Sequence, residues 1–170
     1  MKTLNIPSGG TSFTFDNLFK GKLPDCIALA MVADTAATVS YTANPFNFQN
    51  FGLNYIALSA KSQLIPHIPL EPNITSNDYL SEYLSVMEAM GYDTGPYTWA
   101  ITPFQWATGD NIWVFKVTPG PIGGLHSKQL TGDIRLEMKF ANPLAANVTL
   151  VLLSEESATL EIDQFNHVLI

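Results

Sequence analysis

The chain predicts an all-β sandwich, and three observations carry that expectation. Short apolar stretches are punctuated by eleven prolines and eleven glycines, the rhythm of many strands joined by turns. From Asp133 to Phe140 the chain alternates strictly: Ile134, Leu136, Met138 and Phe140 interleave with Asp133, Arg135, Glu137 and Lys139. Period two marks a strand with one face in a core and the other in water. Two further runs, Cys26 to Ala33 and Asn147 to Leu153, are nearly continuously apolar. A strand with one wet face alternates, so the outer faces of these two present apolar side chains unless the helix covers one sheet and a neighbouring subunit the other.

The elements follow in chain order. Ser12-Phe13-Thr14-Phe15 alternates and opens the strands. Gly21-Lys22-Leu23-Pro24 turns the chain into the Cys26–Ala33 strand, and Asn50-Phe51-Gly52 into a strand over Leu53 to Leu58. Pro69 and Pro72 hold the following approach extended. One helix is expected over about 77–90, where Tyr79, Leu80, Tyr83, Leu84, Met87 and Met90 recur at helical spacing. Ser76 or Asn77 is expected to cap it, Asp78 to complement its dipole, and Gly91 to end it in the left-handed conformation. Asn111 to Val117 is aromatic and β-branched, hence a strand. Pro119-Gly120-Pro121-Ile122-Gly123-Gly124 is a loop. The alternating strand, the Asn147–Leu153 run and a short strand near Thr159 to Ile162 complete the set, with Val168-Leu169-Ile170 adding to an edge. No internal repeat or linker interrupts residues 1–170, so one domain is expected.

Composition limits the function classes. A chain of 170 residues buries roughly 70% of its unfolded surface and needs no staples. The net charge is -7 with only eight Lys and Arg. Direct nucleic-acid binding needs clustered cations, and anionic membranes attract the same ones, so neither is expected. Charged residues make up 14%, against the ~25% usual in soluble domains. Either the surface is rich in Ser, Thr and Asn, or part of it lies against neighbours. The single cysteine, Cys26, excludes an intrachain disulfide and reads as a small buried hydrophobe. No secretion signal is expected, because the N-terminus turns polar and Gly-rich too early. The sequons Asn73-Ile74-Thr75 and Asn147-Val148-Thr149 then read as chance matches. No apolar run approaches the ~20 residues of a membrane span.

No catalytic constellation emerges. A cupin-type metal site needs two or three histidines converging with a carboxylate. Here His67 sits in a Pro-bounded loop, His126 follows the glycine loop and His167 lies near the C-terminus, with no His-x-His pair. There is no nucleophile elbow and no phosphate-binding Gly-x-x-x-x-Gly-Lys. Gly123-Gly124 has no following helix to offer an anion. Glu155, Glu156, Glu161 and Asp163 form an acidic stretch that reads as a solvated sheet edge. Trp99, Trp106 and Trp113, with Tyr92, Tyr97 and Phe104, offer sugar-stacking platforms if exposed, and a core or interface filling otherwise.

Five phrases occur in order: Asn44-Pro45-Phe46-Asn47-Phe48, Gln63-Leu64-Ile65-Pro66, Val117-Thr118-Pro119, Arg135-Leu136-Glu137-Met138-Lys139-Phe140 and Leu160-Glu161-Ile162-Asp163. Gly21-Lys22-Leu23-Pro24, Pro69-Leu70-Glu71-Pro72 and Pro143-Leu144 add to them. Together they resemble the C-terminal half of hexon-like, double-jelly-roll major capsid proteins, of the Polinton and adintovirus type and their genome-integrated relatives. The likeness spans most of the chain. It departs where Lys116 and Gly120 flank the Thr-Pro, and from Tyr92 to Asp110.

The resemblance implies an eight-stranded antiparallel jelly-roll sandwich with the helix inserted. On a physical reading of the phrases, Pro45 and Pro66 fix loop geometry and Phe46 and Phe48 are expected to anchor a loop in an apolar pocket. It implies a structural capsid protein of an icosahedral virus-like shell, located in the virion and assembled inside the host cell. It brings no catalytic, cofactor-binding or metal residues, and no cofactor. The partners it implies are further copies, in a homotrimer or lattice. The alternative is a jelly-roll carbohydrate- or receptor-binding module using the Trp-rich 97–113 region. A third reading is a cupin-like metalloenzyme built on His67 or His126.

Overall fold

Two antiparallel sheets face each other in the computed structural model, which describes residues 1–38, 42–92, 99–118, 131–156, 161–162 and 168–169. The strands are β1 (Lys2–Ile6), β2 (Ser12–Phe15), β3 (Lys20–Lys22), β4 (Cys26–Ala33), β5 (Leu53–Ala60), β6 (Gln63–Leu70), β7 (Ile112–Lys116), β8 (Thr131–Phe140), β9 (Val148–Glu155), β10 (Glu161–Ile162) and β11 (Val168–Leu169). One sheet runs β1-β9-β4-β7 and the other β2-β8-β5-β6, with β3 pairing β8 beside that path. The chain changes sheet between β1 and β2, β3 and β4, β4 and β5, and at each step from β6 to β9. The hairpin of β5 and β6 stays within one sheet. This wrapping is the eight-stranded jelly roll, extended by the short β3.

The alternation of β8 is realised. Ile134, Leu136 and Met138 are fully buried and Phe140 nearly so, while Arg135 and Lys139 point to water. Ile56 and Leu58 lie opposite Met138 and Leu136 and share the inner face. From the other sheet, Ile27, Leu29 and Met31 of β4 meet this layer with Leu150, Leu152, Trp113 and Phe115, all essentially without solvent contact. These inner faces make one continuous core.

Three strands were not legible in sequence: β1, β3 and β6. The segment around Pro66 and His67, expected as a loop, is the strand β6 at the edge of its sheet. Proline is tolerated there because an edge strand has N–H groups that need no ladder partner. The Lys61-Ser62 turn leading into it holds both residues at positive φ, 51° and 65°, as a two-residue type I′ hairpin requires. The tail was expected on a sheet edge. Instead Val168 and Leu169 pair with Ile162 and Glu161 in a separate two-stranded ladder.

The helix is shorter than expected and has company: α1 (Asp34–Ala37), α2 (Leu80–Ala89) and α3 (Pro103–Thr108). Ser76 and Asn77 do not cap α2. Asn73 accepts the Ser76 N–H at 3.1 Å through its side chain, closing a 3₁₀ turn over Ile74–Ser76. Asn73 and Asp78 then exchange backbone hydrogen bonds of 2.7 and 3.0 Å. The competing local cap delays the helix by about three residues. Its end is as expected: Gly91 sits at φ 76°. The Gly91 and Tyr92 N–H groups donate to Glu88 and Met87 carbonyls at 2.9 and 3.0 Å, a Schellman motif. The α3 helix carries a full capping box, Thr102 with Gln105, and Pro103 in its first turn.

Candidate functional site

The aromatic region was the strongest sequence candidate for ligand binding, and its interior is a packing unit. Trp106 of α3 is fully buried. Its ring meets Trp113 edge-on at 4.9 Å, and Tyr83 and Tyr79 of α2 lie at 6.1 and 6.2 Å. Its indole N–H donates to the Ile112 carbonyl at 2.7 Å. The Trp113 indole donates to the Asn111 side chain at 2.7 Å, and Asn111 in turn donates to the Trp106 carbonyl at 3.2 Å. Trp99 stacks on Tyr83 at 5.4 Å, and the Tyr83 hydroxyl donates to the Ile101 carbonyl. Trp106 and Trp113 thus have no face free for a sugar. Phe104 is 70% exposed, and Tyr97 lies outside the described residues.

This unit explains the one misplaced stripe. The α2 helix docks through Tyr79, Tyr83 and Val86, whereas Leu80 and Leu84 remain 55% and 52% exposed.

His67 is exposed on β6, and His126 and His167 fall outside the described set. No group of three or more His, Cys, Asp and Glu among the described residues is placed to hold a metal. Glu155 and Glu156 are exposed at the end of β9; Asp163 and the 119–124 loop lie outside the description, as does the Glu161 side chain. Cys26 is buried, as expected, between Lys116 and Glu155 in register. Burial and the neighbouring Glu155 carboxylate push its thiol up to about 11, so it stays protonated and unreactive at neutral pH.

The outer faces of the two sheets differ in kind. On the β2-β8-β5-β6 sheet, Asp133, Arg135, Glu137 and Lys139 alternate in charge along β8. Arg135 pairs with Glu137 at 2.7 Å and Asp16 at 3.5 Å, and the Lys139 ammonium lies 4.2 Å over the Tyr55 ring. Charge dominates the β8 row of this face, while Leu64 and Ile68 of the edge strand β6 are 38% and 75% exposed. On the β1-β9-β4-β7 sheet, the register places Ala28 between Val114 and Leu153, and Ala30 between Ile112 and Val151. Leu153 is 57% exposed in that setting. The central rows of this face carry no charge, which sequence continuity had indicated for both runs.

Two further apolar features lie near this sheet. The first is the Asn44–Phe48 loop. Phe46 was expected in an apolar pocket but is 73% exposed, with Phe48 half-buried and edge-on to it at 6.5 Å. Hydrogen bonds hold the loop instead. Asn44 accepts the Phe46 N–H through its side chain at 3.0 Å, Gln49 donates to the Met31 carbonyl and Asn111 to the Phe48 carbonyl. The second is a half-open cleft of about 200 Å³ between β6, α2 and β7. Ile65, Pro66, Ala89 and Val114 contribute apolar wall, with Glu88 and Lys116 adding one charge of each sign. No helix among the described residues is long and apolar enough to cross a membrane.

No family model matches the chain and no solved structure matches it. A stretch of 92 residues, 54% of this chain, is 25% identical to part of the uncharacterized protein F54H12.2 of Caenorhabditis elegans. That stretch spans 22% of the relative's length.

Proposed function

We propose that this jelly roll is a structural building block of an icosahedral, virus-like shell, acting by self-association and without catalysis. The observation that carries the reading is the inequality of the two outer faces. A sheet that turns Ala28, Val151 and an exposed Leu153 outward, beside one lined with paired charges, is made for contact with protein on one side and water on the other. The ordered capsid-like phrases add to it. Thr118 of the Val-Thr-Pro phrase is 4% exposed, and its hydroxyl donates to the Asp25 carboxylate at 2.9 Å. That bond ties the chain leaving β7 to the chain entering β4. The C. elegans relative is more than four times as long as its matched stretch, which leaves room for a second roll of this size. On this reading the domain works in the virion, with further capsid subunits as its partners.

Closed shells need repeated contacts with fixed symmetry, and apolar burial supplies their free energy. The test is absolute mass by light scattering after size exclusion, across protein concentration and salt. A discrete trimer or larger closed assembly that survives high salt is expected, because salt screens charge pairs but leaves apolar burial intact. A monomer at every concentration would overturn the proposal.

A further inference from the structure

We infer that Phe46 of one copy inserts into the cleft between β6, α2 and β7 of a second copy. The inference rests on the self-association reading and names the contact that would carry it. The exposed ring stands on a loop whose backbone is held by hydrogen bonds. The Asn44 side chain takes the Phe46 N–H at 3.0 Å, and Asn47 N–H donates back to the Asn44 carbonyl at 3.3 Å. The loop end is then fastened to β4 and to the start of β7 through Gln49 and Asn111. A pre-positioned aromatic loses little conformational entropy on docking and brings a large apolar area. Such anchors dominate interfaces when they fill a pocket.

The cleft matches the ring in size and character. Its volume is about 200 Å³, and an apolar cavity of about 150 Å³ is enough to bind benzene. Charge agrees as well. Residues 42–50 contain no ionisable side chain, so the loop brings no charge of its own to be stripped of water beside Glu88 and Lys116. In a chain of net charge -7, a neutral knob is also the approach least opposed by repulsion between copies. Knob and hole are different patches of one surface. Copies joined this way form a reciprocal dimer, a head-to-tail ring or, where the rotation does not close, an open filament.

The experiment compares the concentration dependence of mass for the parent chain, Phe46→Ala, Ala89→Leu and Phe104→Ala. Ala89→Leu fills the cleft from the α2 side, and Phe104→Ala removes an equally exposed aromatic elsewhere. Association is expected to weaken on the order of 30-fold in the first two and to be unchanged in the third. In parallel, the peptide Asn-Pro-Phe-Asn-Phe is titrated while the Ala89 and Val114 methyl signals are followed by NMR, with shifts expected at both. Association of Phe46→Ala equal to the parent would overturn the inference while leaving shell assembly standing. If the parent is monomeric throughout, shell assembly and this contact between copies are overturned together, whatever the peptide shows.

Discussion

Leu153 is the residue through which the proposed assembly surface is most directly tested. It stands on the outer face of β9, opposite Ala28, and 57% of it meets solvent. Burying a whole leucine is worth about 1.5–3 kcal/mol. Covering the exposed 57% therefore contributes about 0.9–1.7 kcal/mol per contact. Leu153→Ala should weaken assembly roughly fivefold to twentyfold. Leu153→Lys should do far more, because a lone ammonium in a dry contact costs several kcal/mol in addition. Neither change should alter the fold of the single subunit by more than about 0.5 kcal/mol, since the side chain is already wet there. The assay is mass against concentration by light scattering, with urea unfolding as the control for stability. A Leu153→Lys variant that assembles like the parent would refute the argument that this face is an interface.

Three further outcomes follow from the interior. Trp106→Ala should destabilise by about 3–5 kcal/mol, because it empties the site where α2, α3 and β7 meet; Trp106→Phe, which loses mainly the bond to Ile112, should cost about 1–2 kcal/mol. Urea titration followed by circular dichroism measures both, and equal losses would mean that the ring contacts add nothing. Gly91→Ala should cost about 1 kcal/mol, since φ 76° is strained for any residue with a Cβ, and thermal melts would show it. Cys26 should make stability fall at alkaline pH. Its thiol is raised from 9.0 to about 11 in the fold, so the folded state holds the proton more tightly. The contribution is complete below pH 9 and is lost as pH rises toward 11. Cys26→Ala should flatten that slope in unfolding curves taken across the range.

Some of this protein was written in local sequence. The β8 strand was legible because a half-wet strand must alternate, and the end of α2 because Gly91 alone suits a left-handed C′ position there. Cys26 was legible as inert because it stands in an apolar run, where burial favours the protonated thiol. The α3 helix had a readable signal in Thr102-Pro103 and Gln105, a capping box that the surrounding tryptophans obscured. The resemblance of the capsid-like phrases anticipated a jelly roll, which composition alone left as a sandwich.

Other features depended on which elements met in space. Nothing local tells Leu80 and Leu84 from Tyr79 and Tyr83 at helical spacing; the position of Trp106 selects the tyrosines and leaves the leucines in water. Pro66 looked like a loop residue until the edge position of β6 removed the need for its N–H. The runs Cys26 to Ala33 and Asn147 to Leu153 showed locally that these strands carry apolar side chains on both faces, because neither run alternates. Which strands lie side by side, and therefore where Leu153 and the cleft beside Val114 stand on the surface, was decided by the pairing of β1, β9, β4 and β7. That pairing is a sum of contacts between residues more than eighty positions apart, and no local window contains it.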